Sequence, residues 1–248
     1  MSQLALACEA EISTRHLSFL ETGRSSPSRD MVLHLAERLD IPLRERNVLL
    51  VAAGYAPGYG ERAFDDPALD SVRKAVDLVL AGHEPYPALA IDRHWTLVSA
   101  NRAVAPLLAG ADAALLRAPV NVLRLSLHPA GLAPRIANLP EWRAHLLERL
   151  RRQIDVSGDP VLARLMEELR GFPVPQARSG KPATDLGYGA VLIPFRLVTD
   201  SGVLSFFSTT TVFGTPVDIT VSELALESFF PADAATAQLL GRPSGGRA

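Results

Sequence analysis

Thr14, Arg15 and Ser18 would put two hydroxyls and a guanidinium on one face of a helix, because positions 14 and 18 are four apart. Leu17 and Leu20, three apart, share another face. One face can therefore pack while a short hydrogen-bonding face stays open. Such a face suits the major groove of a duplex. Arginine donates in bidentate fashion to guanine, and a short hydroxyl reaches a base edge or a phosphate. Ser13 and Thr14 are N-cap candidates for this helix, and Gly23 is the natural residue to end it. Gln3 begins the preceding helix, where a side-chain amide and helix N–H groups can hold a phosphate. Arg24, Ser25, Ser26 and Arg29 come after the reading helix, positioned to clamp the backbone beside the groove. Glu21 is expected to hold the turn, since an acid there would repel phosphate. The expected contacts to double-stranded DNA are Gln3, Ser13, Thr14, Arg15, Ser18, Arg24, Ser25 and Arg29.

These residues need a small helical bundle to position them. Residues 1–55 read as short helices with no strand signal, and helices over 28–39 and 43–53 complete the bundle. Gly54, Pro57, Gly58 and Gly60 then form a breaker cluster that suits a domain boundary. The expected division is residues 1–57 for the bundle, 58–66 for a linker, 67–232 for a larger domain and 233–248 for a partly disordered tail.

The larger domain mixes both periodicities. Residues 67–81 carry Leu69, Val72, Val76, Val79 and Leu80 at helical spacing. Residues 86–92 and 95–100 read as strands around an Asp92-Arg93-His94 turn, which reads as solvated. Residues 139–170 are two helices split near Gly158-Asp159-Pro160, where Asp159 can precede a proline at the first helical position. Residues 191–199 and 203–213 are Val-, Phe- and Thr-rich strands around an Asp200-Ser201-Gly202 turn, and a third strand is expected over 217–228. Residues 178–185 read as a flexible loop. The fold class is α+β: an all-α bundle, then an antiparallel sheet with flanking helices.

That domain holds the candidates for a second site. Phe195, Phe206, Phe207 and Phe213 could line a cavity, and Trp95 and Trp142 add apolar surface; of these, Trp95, Phe195, Phe206 and Phe213 are the expected ligand contacts. An acidic ligand would need a cationic or amide partner, since an unpaired carboxylate in an apolar pocket is costly. Arg124 and His128, four apart, and Asn101 are the candidates, although His128 precedes Pro129 and could simply end a helix.

Much other chemistry is excluded. The six histidines (16, 34, 83, 94, 128, 145) sit at no catalytic or metal-binding spacing, and Cys8 is the only cysteine. There is no G-x-S-x-G elbow, Walker loop, dinucleotide glycine fingerprint or H-E-x-x-H. No enzyme, cofactor or metal is expected. No apolar run approaches the roughly 20 residues that span a bilayer, and no signal peptide is evident, so a cytoplasmic protein is expected. Net charge is −2, so a DNA-binding surface has to be local.

The stretch from Ser2-Gln3 through Ile12-Ser13 and Leu20-Glu21-Thr22-Gly23 to Leu49–Pro57 resembles the XRE (lambda-repressor-like) helix-turn-helix family. The remainder of the chain, including Asn121-Val122-Leu123-Arg124-Leu125-Ser126-Leu127-His128-Pro129, resembles regulators with an MmyB-like C-terminal ligand-binding domain. The resemblance implies a homodimeric transcriptional regulator whose PAS-like domain holds an apolar small molecule such as a fatty acid. It also implies a helix ahead of the one that holds Gln3. The sequence leaves no room for that helix, through either a start codon assigned late or a natural truncation, and its loss is expected to expose apolar faces of the remaining bundle. The alternative is a truncated regulator whose C-terminal domain is a dimerisation or partner-docking unit without a ligand.

Overall fold

The computed structural model describes residues 2–173 and 192–241; the loop expected over 178–185 and residues 242–248 lie outside the described residues. The described chain divides into two units, Met1–Asp70 with Phe213–Glu223, and Ser71–Val212 with Leu224–Ala248.

In the first unit serines start three helices. Ser2, Ser13 and Ser28 accept from the amides of Ala5, His16 and Met31 at 3.1–3.2 Å, and so open α1 (Gln3–Glu9), α2 (Thr14–Glu21) and α3 (Arg29–Arg38). Helix α2 ends at Thr22, and Gly23 comes next in the left-handed region at φ +68°, where a side chain would be strained. A fourth helix, α4 (Leu43–Ala52), closes the bundle over Ala7, Leu17, Val32, Ala36 and Leu50. Leu4, Val48 and Val51 stay exposed.

The returning segment 213–223 ties into this unit through charge. Arg44 is bidentate to Glu223 at 2.7 and 2.9 Å, and it also donates to Glu61. Arg62 donates to Asp218 at 2.8 Å, and the Ile219 amide donates to the Gly60 carbonyl. The strand expected over 217–228 is therefore corrected. Ile219 and Val221, two apart and both buried, imitate strand alternation. Asp218 instead caps a helical turn, α9 (Ile219–Ser222), by accepting from Thr220. The strand begins only at Ala225.

The second unit is built on one antiparallel sheet in the order β2-β1-β5-β4-β3. Its strands are β1 (Ala88–Ile91), β2 (Leu97–Ala100), β3 (Phe195–Thr199), β4 (Gly202–Val212) and β5 (Ala225–Pro231). The β3–β4 hairpin turns where the sequence indicated, with Gly202 at φ +128°. Between β2 and β3 come α6 (Val122–Leu127), α7 (Leu139–Ser157) and α8 (Pro160–Gly171), while α5 (Asp70–Gly82) precedes the sheet. Gly158 terminates α7 in the left-handed region, and Asp159 caps α8 ahead of Pro160, as the spacing indicated. Helix α7 turns Leu139, Trp142, Leu146 and Leu150 toward the core, where they meet Leu123, Leu125, Phe195, Leu197 and Phe206.

Residues 234–241, within the stretch expected as tail, form α10. Its anchor is Thr236, fully buried, whose Oγ1 accepts from the Ser205 amide at 2.9 Å. Thr236→Val keeps the shape and orphans that buried N–H, so it lowers the unfolding free energy by about 1–3 kcal/mol. Urea denaturation with an unchanged m-value checks this; an unaltered midpoint would show that the amide finds another partner.

Candidate functional site

Between the sheet and the helices α6 and α7 lies a cavity of about 110 Å³. Strands bring Leu89, Leu97, Phe195 and Phe229 to it, α6 brings Val122, Leu125 and Ser126, and α7 brings Trp142, Leu146 and Arg149. Leu107 and Leu108, on a short 3₁₀ turn, close another side. Sites for drug-sized ligands run to roughly 300–1,000 Å³, and an engineered apolar cavity of roughly 150 Å³ holds benzene. The space therefore takes a small apolar group as it stands, and a longer chain requires the leucine wall to move.

One ion pair supplies the charge. Arg149 is in close contact with the Glu227 carboxylate, and its Nη2 also donates to Thr210 Oγ1 at 2.9 Å. Thr210 in turn donates to Glu227 Oε1 at 2.9 Å. The β4–β5 register dictates this grouping by setting Thr210 opposite Glu227 and Ser208 opposite Phe229. The Arg149 guanidinium lies over the Trp95 ring at 4.6 Å, and Glu227 is only 5% exposed. His145, one turn earlier, is driven toward its neutral form, by burial first and then by Arg149 and Arg152.

The other polar groups of the wall are mostly engaged. Trp95 Nε1 donates to Gln153 at 2.8 Å, and Trp142 Nε1 donates to Ser126 Oγ at 3.1 Å. The Ser208 hydroxyl has no hydrogen-bond partner among the described residues. Trp95 also has φ +65°, a strained value for a bulky residue. A turn holds it there: the Trp95 amide donates to the Asp92 carbonyl, and Asp92 Oδ1 accepts from His94 and Thr96. Strain of this kind at a cavity wall fixes a side chain in place.

Of the expected ligand contacts, the structure brings Trp95 and Phe195 to the cavity. Five others lie elsewhere. Phe206 is fully buried behind the wall, against Phe195 and Phe229. Phe213 belongs to the returning segment of the first unit. Asn101 is a structural bracket: its Oδ1 accepts from Ala88, and its Nδ2 donates to the Leu80 and Tyr86 carbonyls. Arg124 forms a bidentate pair with Glu168 at 2.6 and 2.7 Å, in a separate polar cleft shared with His94, Asn121 and Arg164. His128 ends α6, where its Nδ1 accepts from Ala130 and its ring meets the edge of Phe172.

The Asp92–His94 turn is also less solvated than expected, because Arg93 and His94 both reach the buried Asp159. The cation at the cavity is Arg149, which sequence reasoning missed along with Glu227. Both signals were present. Trp142, Leu146 and Arg149 share a helix face, and Glu227 shares a strand face with Phe229.

On α2, Thr14 and Arg15 are exposed, Ser18 is half-buried, and Leu17 behind them is 3% exposed. Ser13 uses its hydroxyl to cap the helix, and Gln3 Nε2 donates to Glu21 at 2.6 Å. Gln3 thus joins α1 to α2, and Glu21 holds the turn. The Arg15 and Arg24 guanidiniums lie 5.2 and 6.0 Å from the Phe19 ring, which orders both. Phe19 was legible only through its spacing of four from Arg15. Ser25 is half-buried behind α2, and Arg29 is exposed, with its guanidinium near Gly58.

Among the described residues there is no group of three metal-ligating side chains, and no helix is long and apolar enough to cross a membrane. Residues 72–242 match the family described as the MmyB-like transcription regulator ligand binding domain, a stretch that contains the sheet and the cavity. No curated protein matches the chain.

The Arg124–Glu168 pair gives a pH test that is separate from the cavity. Its hydrogen bond to Arg124 holds the Glu168 carboxyl below the ordinary glutamate range, against the opposing effect of burial. A depressed folded value means the contribution is present above the unfolded-chain value of about 4.3 and is lost as pH falls through the folded value. Both side chains are more than a third exposed, so Glu168→Gln costs at most about 1 kcal/mol at pH 7. Urea titrations from pH 7 to pH 3 should show this gap closing, with binding at the cavity unchanged.

Proposed function

The chain belongs to the family of MmyB-like transcription regulators defined by this ligand-binding domain, and from that premise we propose that it reads a specific double-stranded DNA sequence with its first unit and senses an apolar small molecule with its second. The observation that carries the sensing half is the cavity: apolar walls, a strained tryptophan and one ion pair with a buried carboxylate, all within the matched residues. Its ligand has a hydrocarbon body of the fatty-acid type. An antiparallel sheet with its helices inserted between β2 and β3 supports a PAS-like domain. The docking-unit alternative needs a cavity filled by its own side chains, and about 110 Å³ stands open.

The reading half rests on α1 and α2 acting as an XRE-type helix-turn-helix. The open stripe of Thr14, Arg15 and Ser18, with Arg24, Ser25 and Arg29 beyond it, is supported by the burial of Leu17 and the ordering of Arg15 on Phe19. Gln3 and Ser13 have their side chains engaged within the bundle, so their contacts run through the main-chain amides that they position. The regulator acts as a cytoplasmic homodimer, and ligand binding shifts the spacing of its two heads through unequal affinity for the two arrangements. Strands β4 and β5, which carry Ser208, Glu227 and Phe229 to the cavity, are joined by the segment that Arg44 holds through Glu223. That continuity supports a route from ligand to reading head.

Two measurements test this. Mass spectrometry of natively purified protein is expected to find a co-purifying apolar molecule, and an empty cavity that accepts no apolar probe would favour the docking unit. Arg15→Ala is expected to weaken binding to the specific site by about 1–3 kcal/mol. An equal loss on random DNA would make Arg15 a phosphate contact instead.

A further inference from the structure

The geometry points to a neutral ligand: an apolar body whose head group hydrogen-bonds without carrying a charge, such as an alcohol, ester or amide, rather than an ionised fatty acid. This inference rests on the ligand-binding reading above and narrows it.

The charge at the cavity is already matched. The cation on the wall of the cavity is Arg149, and it faces Glu227, with Thr210 bridging the two. Burial holds Glu227 at 5% exposure, so this carboxylate depends on Arg149 for its charge balance. A ligand carboxylate has two ways to reach the guanidinium, and each fails. Displacing Glu227 leaves a buried anion unpaired. Joining it sets two anions against one cation beside a carboxylate that is itself almost fully buried. Among the described residues no second cation lines the cavity: His145 is half-buried and held toward neutrality, Arg152 beside it lies outside the lining, and Arg124 is bound to Glu168 in the separate cleft.

The polar group left for a ligand is Ser208. Ser208 lines the cavity, opposite Phe229 in the strand register, and its hydroxyl has no partner among the described residues. A hydroxyl donates one hydrogen bond and accepts others, which suits an alcohol, ester or amide head. Such a head meets the serine while its hydrocarbon body lies among other lining residues, Leu125, Leu146 and Phe195.

Isothermal titration calorimetry of the full chain with octan-1-ol and with sodium octanoate at neutral pH tests the inference. In the native protein octan-1-ol is expected to bind about tenfold more tightly or better. Because the two probes differ in hydrophobicity, the decisive quantity is the change in their ratio. Glu227→Gln removes the matching anion, so octanoate is expected to gain about tenfold while octan-1-ol stays within about twofold. Ser208→Ala is expected to weaken octan-1-ol several-fold and leave octanoate unaffected, and it retains the inference's falsifiability should Glu227→Gln fail to fold. Octanoate binding the native protein as tightly as octan-1-ol, or no ratio change in a folded Glu227→Gln, overturns the neutral-ligand inference alone. Silence of both probes overturns the ligand-binding reading together with it.

Discussion

Glu227 is buried at the edge of an apolar space with the half-buried Arg149 beside it, and much of the second unit can be understood as the arrangement that makes this tolerable. A charge removed from water is stable only when paired and hydrogen-bonded, and removing one member of a buried pair typically costs about 3–5 kcal/mol. Three elements meet that demand. The β4–β5 register brings Thr210 across to share the carboxylate, the face of α7 delivers the guanidinium, and the turn before β2 holds Trp95 beneath it. The strained backbone of Trp95 makes sense in this setting. The ring lies under Arg149 while its Nε1 reaches Gln153, and both contacts hold the residue at φ +65°.

The same pair explains why an otherwise leucine-lined cavity keeps a polar side. If apolar residues of equal volume replaced the pair, the helix and sheet would pack at least as tightly, because buried ion pairs seldom improve stability over well-packed hydrophobes. What the pair adds is orientation. It fixes α7 against β5 at one point, and so fixes which side chains of α7 look into the space.

How much of this was legible in the sequence depends on the range over which each feature is determined. Local chemistry could be read directly: the serine caps, the glycine stops, the Asp159-Pro160 helix start and the hairpin at Gly202 all depend on neighbours a few residues away. The cavity aromatics were half legible. Period-2 alternation says that Phe195 and Phe206 both point inward, but not which meets space and which meets another ring. The polar partner of the cavity was misread because Arg124 and His128 are close in sequence, whereas Arg149 and Glu227 are 78 residues apart and meet only through the sheet. Segment 213–223 was misread for the same reason. Its helical turn is fixed by Arg62 and Arg44, more than 150 positions away, against a local pattern that favours a strand.

Charge in the first unit obeys a comparable logic. Residues 1–57 hold six arginines, at 15, 24, 29, 38, 44 and 46, against seven acids, so general attraction to phosphate is weak there. Two of the arginines also turn inward: Arg44 holds Glu61 and Glu223, and Arg46 donates to the Ile41 carbonyl. Arg15 and Arg24 remain exposed, each ordered on the Phe19 ring. If the proposed DNA reading holds, a surface so poor in free cations gains little from sequence-independent contacts, and a larger share of its affinity comes from the shape and hydrogen bonding of one short helix. Under the proposed reading, that composition favours discrimination between sites over tight binding to any duplex, which suits a reader whose occupancy is set by a ligand.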